Sequence, residues 1–529
     1  MKRYSRLLRN RRLAWLGIIL CLSTACLADD AEFAADVFDD GEAPAFVQLS
    51  AYEEPVQLPP APSPAIALAD TIPPDPPDEL SKLMAEVNKL KDRLKTMEDD
   101  GKKKAADAKK NEFPSFKITG FTQLDSAAYS QSPNNIATVG NAQDGTGFRR
   151  ARLAVQGKVA EFTSYQVEMD FATAGRPSFF DTYVEQSNIP YLGTVRVGQF
   201  CQPFSVDSLT GFRNLTFLER SLPFLAFVPF RRVGAQAANI ADDEMSQWAY
   251  SVFRTGGYKN APLGDNRYGV DIGDVGGVSF STRATHLIQY DPHANDRYLW
   301  HIGASYDYSV LGADTAAGST TQTPFYQTRV LPEFGPLGYS EDAQAFGFAN
   351  NSTPVFVDSG RYPANHFNLF GLETVYQNGP WGVQAEYMAT VVDSIVGNIF
   401  YNGAYTQVAY RLTGEHRAYD KKNGTLGRLV PFTDFFSFKK KGIQGMGAWE
   451  VAGRLSFVDI RNPDSLNGQY LNGTSNAGNG TLVDSTLGFT WFLNTHTKFQ
   501  GNWIHCMLNN SDRGHSTANL FVSRVQVDF

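Results

Sequence analysis

The stretch that decides the fold runs from Phe148 to Gly234, opening FRRARLAVQGKVAEFTSYQVEMDFATA (148–174) and closing RSLPFLAFVPFRRVG (220–234). Arg150, Arg152, Ala154, Gln156 and Lys158 alternate with Ala151, Leu153, Val155 and Gly157, so an extended chain puts the first set on one face and the second on the other. The next segment repeats the pattern, with Tyr165, Val167, Met169 and Phe171 opposing Gln166, Glu168 and Asp170. A third sets Val195 and Val197 against Arg196 and Gly198. One wall of the implied sheet is charged. A soluble sheet covers its apolar face with a second sheet or with helices, and no helical period lies nearby. A transmembrane antiparallel β-barrel needs no second layer, because lipid takes the apolar face and a watery lumen the polar one.

Upstream, the chain changes character four times. Lys2, Arg3, Arg6, Arg9, Arg11 and Arg12 precede an apolar run from Leu13 to Leu22 and small residues up to Ala28, the pattern of a secretory signal peptide over 1–28. Ser23-Thr24-Ala25-Cys26 also faintly resembles a lipoprotein box, with Leu22 one place too far upstream. Residues 29–79 are acidic and hold ten of the 27 prolines, a disordered tether. Then Leu80, Leu83, Val87, Leu90, Leu94 and Met97 recur at spacings of 3 and 4, the a and d positions of a short coiled coil over 80–100. Glu86 against Lys91, and Arg93 against Glu98, pair with opposite signs between parallel neighbours, so a parallel homo-oligomer is expected. A basic linker, 101–112, follows with Lys102, Lys103, Lys104, Lys109 and Lys110. No later segment is apolar enough for a membrane-spanning helix.

Downstream, residues 113–529 contain no linker-like break and are expected to form one barrel. Trp449, Val451, Gly453, Leu455 and Phe457 share a face opposite Glu450, Arg454 and Ser456, so Leu455 is expected to face lipid and Arg454 water. Leu487, Phe489, Trp491 and Leu493, then Phe499, Gly501 and Trp503, form two arms around a polar turn at Asn494–His496. Long polar stretches at 311–365, 412–446 and 461–481 are expected to be the loops of the opposite end. The chain ends in a strand with Phe521, Val525, Val527 and Phe529 on one face and Arg524, Gln526 and Asp528 on the other.

Between about 203 and 235 the alternation stops, and Arg213, Arg220, Arg231 and Arg232 stand against Asp207 and Glu219, a local balance of plus two. One reading is an extracellular loop capped by salt bridges, with Arg220 on Glu219 or Glu168. The other is a loop folded into the barrel on Phe217, Phe224, Phe227 and Phe230, its arginines narrowing a pore with Arg150 and Arg152.

Several short motifs carry a resemblance. Gly147-Phe-Arg-Arg-Ala-Arg-Leu, Val197-Gly-Gln-Phe, Gln202-Pro-Phe-Ser, Phe217-Leu-Glu-Arg-Ser-Leu-Pro, Arg231-Arg-Val-Gly, Leu412-Thr-Gly-Glu, Gly447-Ala-Trp-Glu, Thr486-Leu-Gly-Phe-Thr-Trp-Phe-Leu-Asn and the ending Val525-Gln-Val-Asp-Phe resemble the phosphate-selective porin O and P family, in the family's order. The resemblance implies a homotrimer of 16-stranded outer-membrane barrels, each a separate channel for small anions such as phosphate with an arginine-rich lining. The candidate lining residues are Arg150, Arg152, Arg196, Arg213, Arg220, Arg231 and Arg232. Residues 113–529 hold 31 Lys and Arg against 35 Asp and Glu, and the whole chain is at −8, so any anion selection has to be local, and other anions, sugars or unselective small solutes stay open. Expected partners are small anions, outer-membrane lipid and two further copies, through barrel contacts and the coil. No nucleic acid, cofactor or metal is expected.

Two other classes compete. A barrel hydrolase needs a nucleophile with its histidine, but there is no Gly-x-Ser-x-Gly elbow and the eight histidines, His301 and His505 among them, have neither triad nor ligand spacing. An envelope anchor would use the coil to grip the cell wall. Cys201 and Cys506 either form one disulfide or stay thiols.

Overall fold

The computed structural model describes residues 88–97, 113–172, 177–256, 277–314, 323–334, 353–435, 445–463, 466 and 478–529. The signal sequence, the tether, the basic linker and the outer parts of the coil lie outside these residues. Residues 88–97 are helical, and Leu90, Leu94 and Met97 are exposed.

Alternation in the sequence becomes a closed ring of strands. The first quarter is β1 (Lys117–Gln131), β2 (Gly145–Ala160), β3 (Thr163–Asp170) and β4 (Ser178–Ile189). Then come β5 (Gly193–Cys201), β6 (Arg231–Ile240), β7 (Ser246–Gly256) and β8 (Gly277–Tyr290). The third quarter is β9 (Tyr298–Val310), β10 (Tyr362–Asn378), β11 (Trp381–Ser394) and β12 (Gly397–Arg411). The last is β13 (Ala448–Asp459), β14 (Gly480–Phe492), β15 (Thr497–Asn510) and β16 (Gly514–Asp528). Of the 18 strands in this sheet, two short pieces, Ala313–Asp314 and Thr323–Tyr326, ride on the β9–β10 connection, and the other 16 form the wall. Neighbours are antiparallel throughout, and Phe121↔Asp528 to Gln131↔Ala518 close β1 onto β16, so no unpaired wall edge meets lipid.

The faces fall where parity puts them. On β13, Leu455 is 58% exposed while Arg454 is 5% exposed, and Leu455 lies opposite Thr406 and Ser485 on the outer surface. Trp449 and Trp491, directly paired across β13 and β14, stack outside with centroids 5.0 Å apart, a cross-strand aromatic pair at the membrane interface.

Two loops fill much of the lumen. The β5–β6 connection, 202–230, folds inward and carries two short helices, α1 (Val206–Leu209) and α2 (Leu222–Phe227). The wall makes room with inward glycines: a Cβ on Gly371 would stand 2.8 Å from the Phe204 ring, and one on Gly488 would stand 3.1 Å from Phe217. The β9–β10 connection packs on this loop, so that Leu222, Phe227, Val330, Phe334, Phe356 and Val357 are all buried to 1% exposure or less. An apolar core inside the wall therefore corrects the picture of a lumen that is polar and wet throughout.

One connection breaks the loop-length rule. The β9–β10 and β13–β14 connections leave the wall at the end away from the chain termini, as expected, and the β14–β15 turn is short. But 412–447 joins β12 to β13 at the terminus end, among the short turns, and carries a hairpin of Arg417–Asp420 and Thr425–Leu429. Length alone could not reveal this, because the end at which a loop emerges is fixed by counting strands.

Arg454 is inward but not wet: its guanidinium donates to Glu333 of the β9–β10 connection at 2.6 and 2.8 Å and to the Glu219 carbonyl at 3.1 Å. Leu455→Arg should destabilise the barrel by about 2–4 kcal/mol if it sits near the bilayer midplane. Arg454→Ala should cost a similar ~3–5 kcal/mol for a different reason, an uncompensated buried Glu333. Denaturant unfolding in lipid checks both, and adding Glu333→Gln should recover much of the second loss and none of the first.

Candidate functional site

The site is the charged part of the lumen, and each arginine singled out from the sequence can be placed in it. Arg150 on β2 donates to both oxygens of Glu219 at 2.9 and 2.8 Å and to Gln123 at 2.8 Å. Arg149 and Arg524 reach the same carboxylate at 3.1 and 2.8 Å, and Arg524 also grips Asp125 at 2.6 and 2.7 Å. Burial alone would raise the Glu219 carboxyl, but three guanidiniums overcome it and hold the group well below the usual carboxylate range.

Four others lean on carboxylates of nearby strands or on the loop itself. Arg152 pairs with Asp170 at 2.9 Å and lies 3.5 Å over the Phe180 ring. Arg231 pairs with Asp181 at 2.9 and 3.2 Å. Arg196 pairs with Glu185 at 2.7 Å and stacks 4.2 Å from Tyr183. Arg220 takes neither the Glu219 nor the Glu168 partner weighed from the sequence. It donates instead to the carbonyls of Asp207, Ser208 and Thr210 at 2.7–3.0 Å, stitching the inner loop to itself. Arg232 is buried at the head of β6, where Gln202 donates to its carbonyl at 3.1 Å.

Arg213 differs from all of these. Among the described residues it has no carboxylate partner, and its guanidinium lies 5.5 Å from the Phe121 ring. It lines a pocket at the terminus-side mouth together with Arg417, Arg428, Lys498, His496 and Asp528. Arg428 is held by Asp528, and Arg417 by Glu450 at 2.8 Å, whereas Arg213 and the buried Lys498, 4% exposed and 5.8 Å from the Phe492 ring, make no ion pair among the described residues. Lys498 was missed in the sequence because it follows directly on a turn, yet it shares inward parity with Gln500, which was the available signal.

Other inward groups form ion pairs whose partners could not be read from the sequence. Glu450 bridges Arg411 and Arg417 at 2.7 and 2.8 Å. Glu373 bridges Arg283 at 2.5 Å and His301 at 2.8 Å, so His301 is a wall residue, as expected. Cys201 and Cys506 do not form a disulfide. No cluster with the makings of a metal site occurs among the described residues.

Residues 116–529 match the family model described as phosphate-selective porin O and P. Porin O of Pseudomonas aeruginosa is 24% identical over 427 residues, covering 78% of this chain and 88% of that protein. Among solved structures, the anion-selective porin from Comamonas acidovorans is 12% identical with a TM-score of 0.45, covering 78% of this chain and 99% of that one. The outer membrane channel DcaP of Acinetobacter baumannii is 12% identical with a TM-score of 0.42, covering 78% and 97%. With the family's model spanning the whole closed barrel, this chain belongs to the phosphate-selective porin O and P family and is an outer-membrane porin, a channel and not an enzyme.

Proposed function

We propose that this porin passes small anions, phosphate among them, and that the terminus-side pocket of Arg213 and Lys498 sets the preference. The supporting observation is subtraction. Arg149, Arg150, Arg152, Arg196, Arg231 and Arg524 are all ion-paired with carboxylates, the Glu219 cluster keeping one charge over, and Arg220 binds carbonyls. A passing anion meets Arg213 in a pocket whose carboxylate, Asp528, is already held by Arg428. Confinement gives that excess its strength: a unit charge pair at 4 Å is worth about 1 kcal/mol in bulk water and about 4 kcal/mol at an effective dielectric of 20. Exposed charges would be screened beyond roughly 8 Å at physiological salt. Of the residues first singled out, Arg213 and the partly exposed Arg196 are the ones we assign to the solute path. The others hold the inner loop and wall in place.

The same reading makes the particle a trimer. Apart from Trp15, the chain's tryptophans are Trp248, Trp300, Trp381, Trp449, Trp491 and Trp503, all on β7–β15. Interfacial Trp marks wall that meets lipid headgroups. The wall from β1 to β6 has none, and its outward positions include Thr122, Ser126, Ala128 and Ala151. Protein contact suits that surface, three copies is the number the family resemblance implies, and the exposed a and d residues of the 88–97 helix supply a second association signal. The N-terminal segment 1–28 directs export and 29–79 tethers the coil in the periplasm.

Reversal potentials across a salt gradient should show anion preference in the native protein. Replacing Arg213 and Lys498 together by Gln should abolish most of it, since each ~1.4 kcal/mol lost is roughly tenfold in occupancy. A cation-preferring native pore, or an unchanged ratio in the double variant, contradicts the assignment. Native mass measurement in mild detergent should give three copies, and crosslinks between copies should map to β1–β6; a stable monomer contradicts the trimer.

A further inference from the structure

The hairpin at the terminus-side mouth is built differently at its two ends. At its base it is embedded. Arg417 is 2% exposed, donates to Glu450 and to the Asn214 carbonyl of the inner loop, and has its backbone bracketed by Gln377 of β10 at 2.8 and 3.1 Å. In the middle, Tyr419 bonds to His301 at 2.6 Å and packs with Leu426 against Val206, Leu287, Leu299 and Val375. These contacts run along β13, β10, β9 and β8, all through inward residues, so the hairpin crosses the lumen instead of hanging below it.

At the tip the contacts become exposed ion pairs. Lys421 reaches Glu244 in the β6–β7 turn at 3.0 Å, and Lys422 reaches Glu185 of β4 at 2.9 Å. Their side chains are 24% and 58% exposed, and that of Glu244 is 60% exposed, while Glu185, which Arg196 also holds, is 10% exposed. Pairs this exposed contribute little each and weaken with salt. Arg283 adds two bonds to the carbonyls of Asn423 and Gly424, at 2.8 and 2.9 Å. The tip's own shape does not depend on the wall. Asp420 accepts from the backbone N–H of Lys422 and Asn423 at 3.0 and 3.3 Å and from the Asn423 side chain at 2.6 Å, and Gly424 takes the left-handed φ of 60° that the turn needs.

A pre-formed tip on a buried base, clasped to the far wall by exposed lysines, is a latch. We propose that residues 420–424 swing off Glu185 and Glu244 to widen the periplasmic mouth, and that Lys421 and Lys422 set how often they do. The low-stability end of a structural unit opens first, and here that end is the tip. β4 lies on the opposite side of the ring from β13, so a docked tip divides the mouth and a released one leaves it open. The latch is steric and holds whether or not the pore prefers anions.

The test uses neutral solutes, whose flux charge selectivity does not touch. Full-length porin in liposomes should admit a neutral trisaccharide severalfold faster when Lys421→Glu and Lys422→Glu make the tip repel both partners, and single channels should flicker to a larger conductance. A second arm does not rely on that variant folding. Lys421→Cys with Glu244→Cys, in a Cys201→Ser background, is compared before and after joining by a short bis-maleimide; joining should return trisaccharide flux to the native value and remove the flicker. Native-like flux in the repelled variant, if it folds, or indistinguishable joined and unjoined forms, would overturn the latch while leaving anion preference as measured.

Discussion

The Glu219 carboxylate is the point on which the interior depends. A large loop cannot fold into a barrel unless something draws it to the wall, and here three guanidiniums from β2 and β16 converge on one acid of that loop. Taking charges out of water is costly, and the cost is offset only where geometry is good and the remaining donors are satisfied. Arg150 meets the acid with two parallel bonds, and Arg524 divides its donors between Glu219, Asp125 and the Leu218 carbonyl. With three cations and two acids the cluster keeps one positive charge. It also joins the second strand to the last, so docking of the loop and closure of the ring support each other.

Once the loop is docked, the second inward connection has an apolar surface to cover, and the lumen divides. Against Gly403 of β12 and Gly488 of β14 it is packed core, with Phe227 and Pro223 on the first and Phe217 on the second. Toward β2–β6 it is charged. Ion pairs occur in both sectors, Arg411–Glu450 on β12 and β13 as well as Arg152–Asp170 on β2 and β3, so the arginine content of the wall says little about the pore until each arginine's partner is known.

That separation sets what could be read from the chain. Strand faces were legible because parity is a local property: Val451, Leu455 and Phe457 face out and Glu450 and Arg454 in, with no knowledge of neighbours. The inward fold of 202–230 was legible as one of two options from its four phenylalanines. Arg220 was not, because its partners are backbone carbonyls, which leave no mark in sequence. Nor was the hairpin, whose partners Glu185, Glu244 and Glu450 are scattered over three parts of the chain. Arg454 read as a lumen residue in water because parity reports the side of the wall and is silent on what fills it.

The charged sector is also the one whose outer surface lacks tryptophan. On β2–β6, Arg152, Arg196 and Arg231 lie over Phe180, Tyr183 and Phe230, each also paired with an acid. A guanidinium stacked on a ring and bonded to a carboxylate keeps its charge and loses its freedom, so the field it makes is fixed before a solute arrives. Such a wall acts as a rigid, nearly neutral mount. Arg213, 5.5 Å from the Phe121 ring of β1, stands beside this wall without an ion pair among the described residues. A modest excess on a stiff mount attracts an ion without trapping it, as conduction through a binding pore requires.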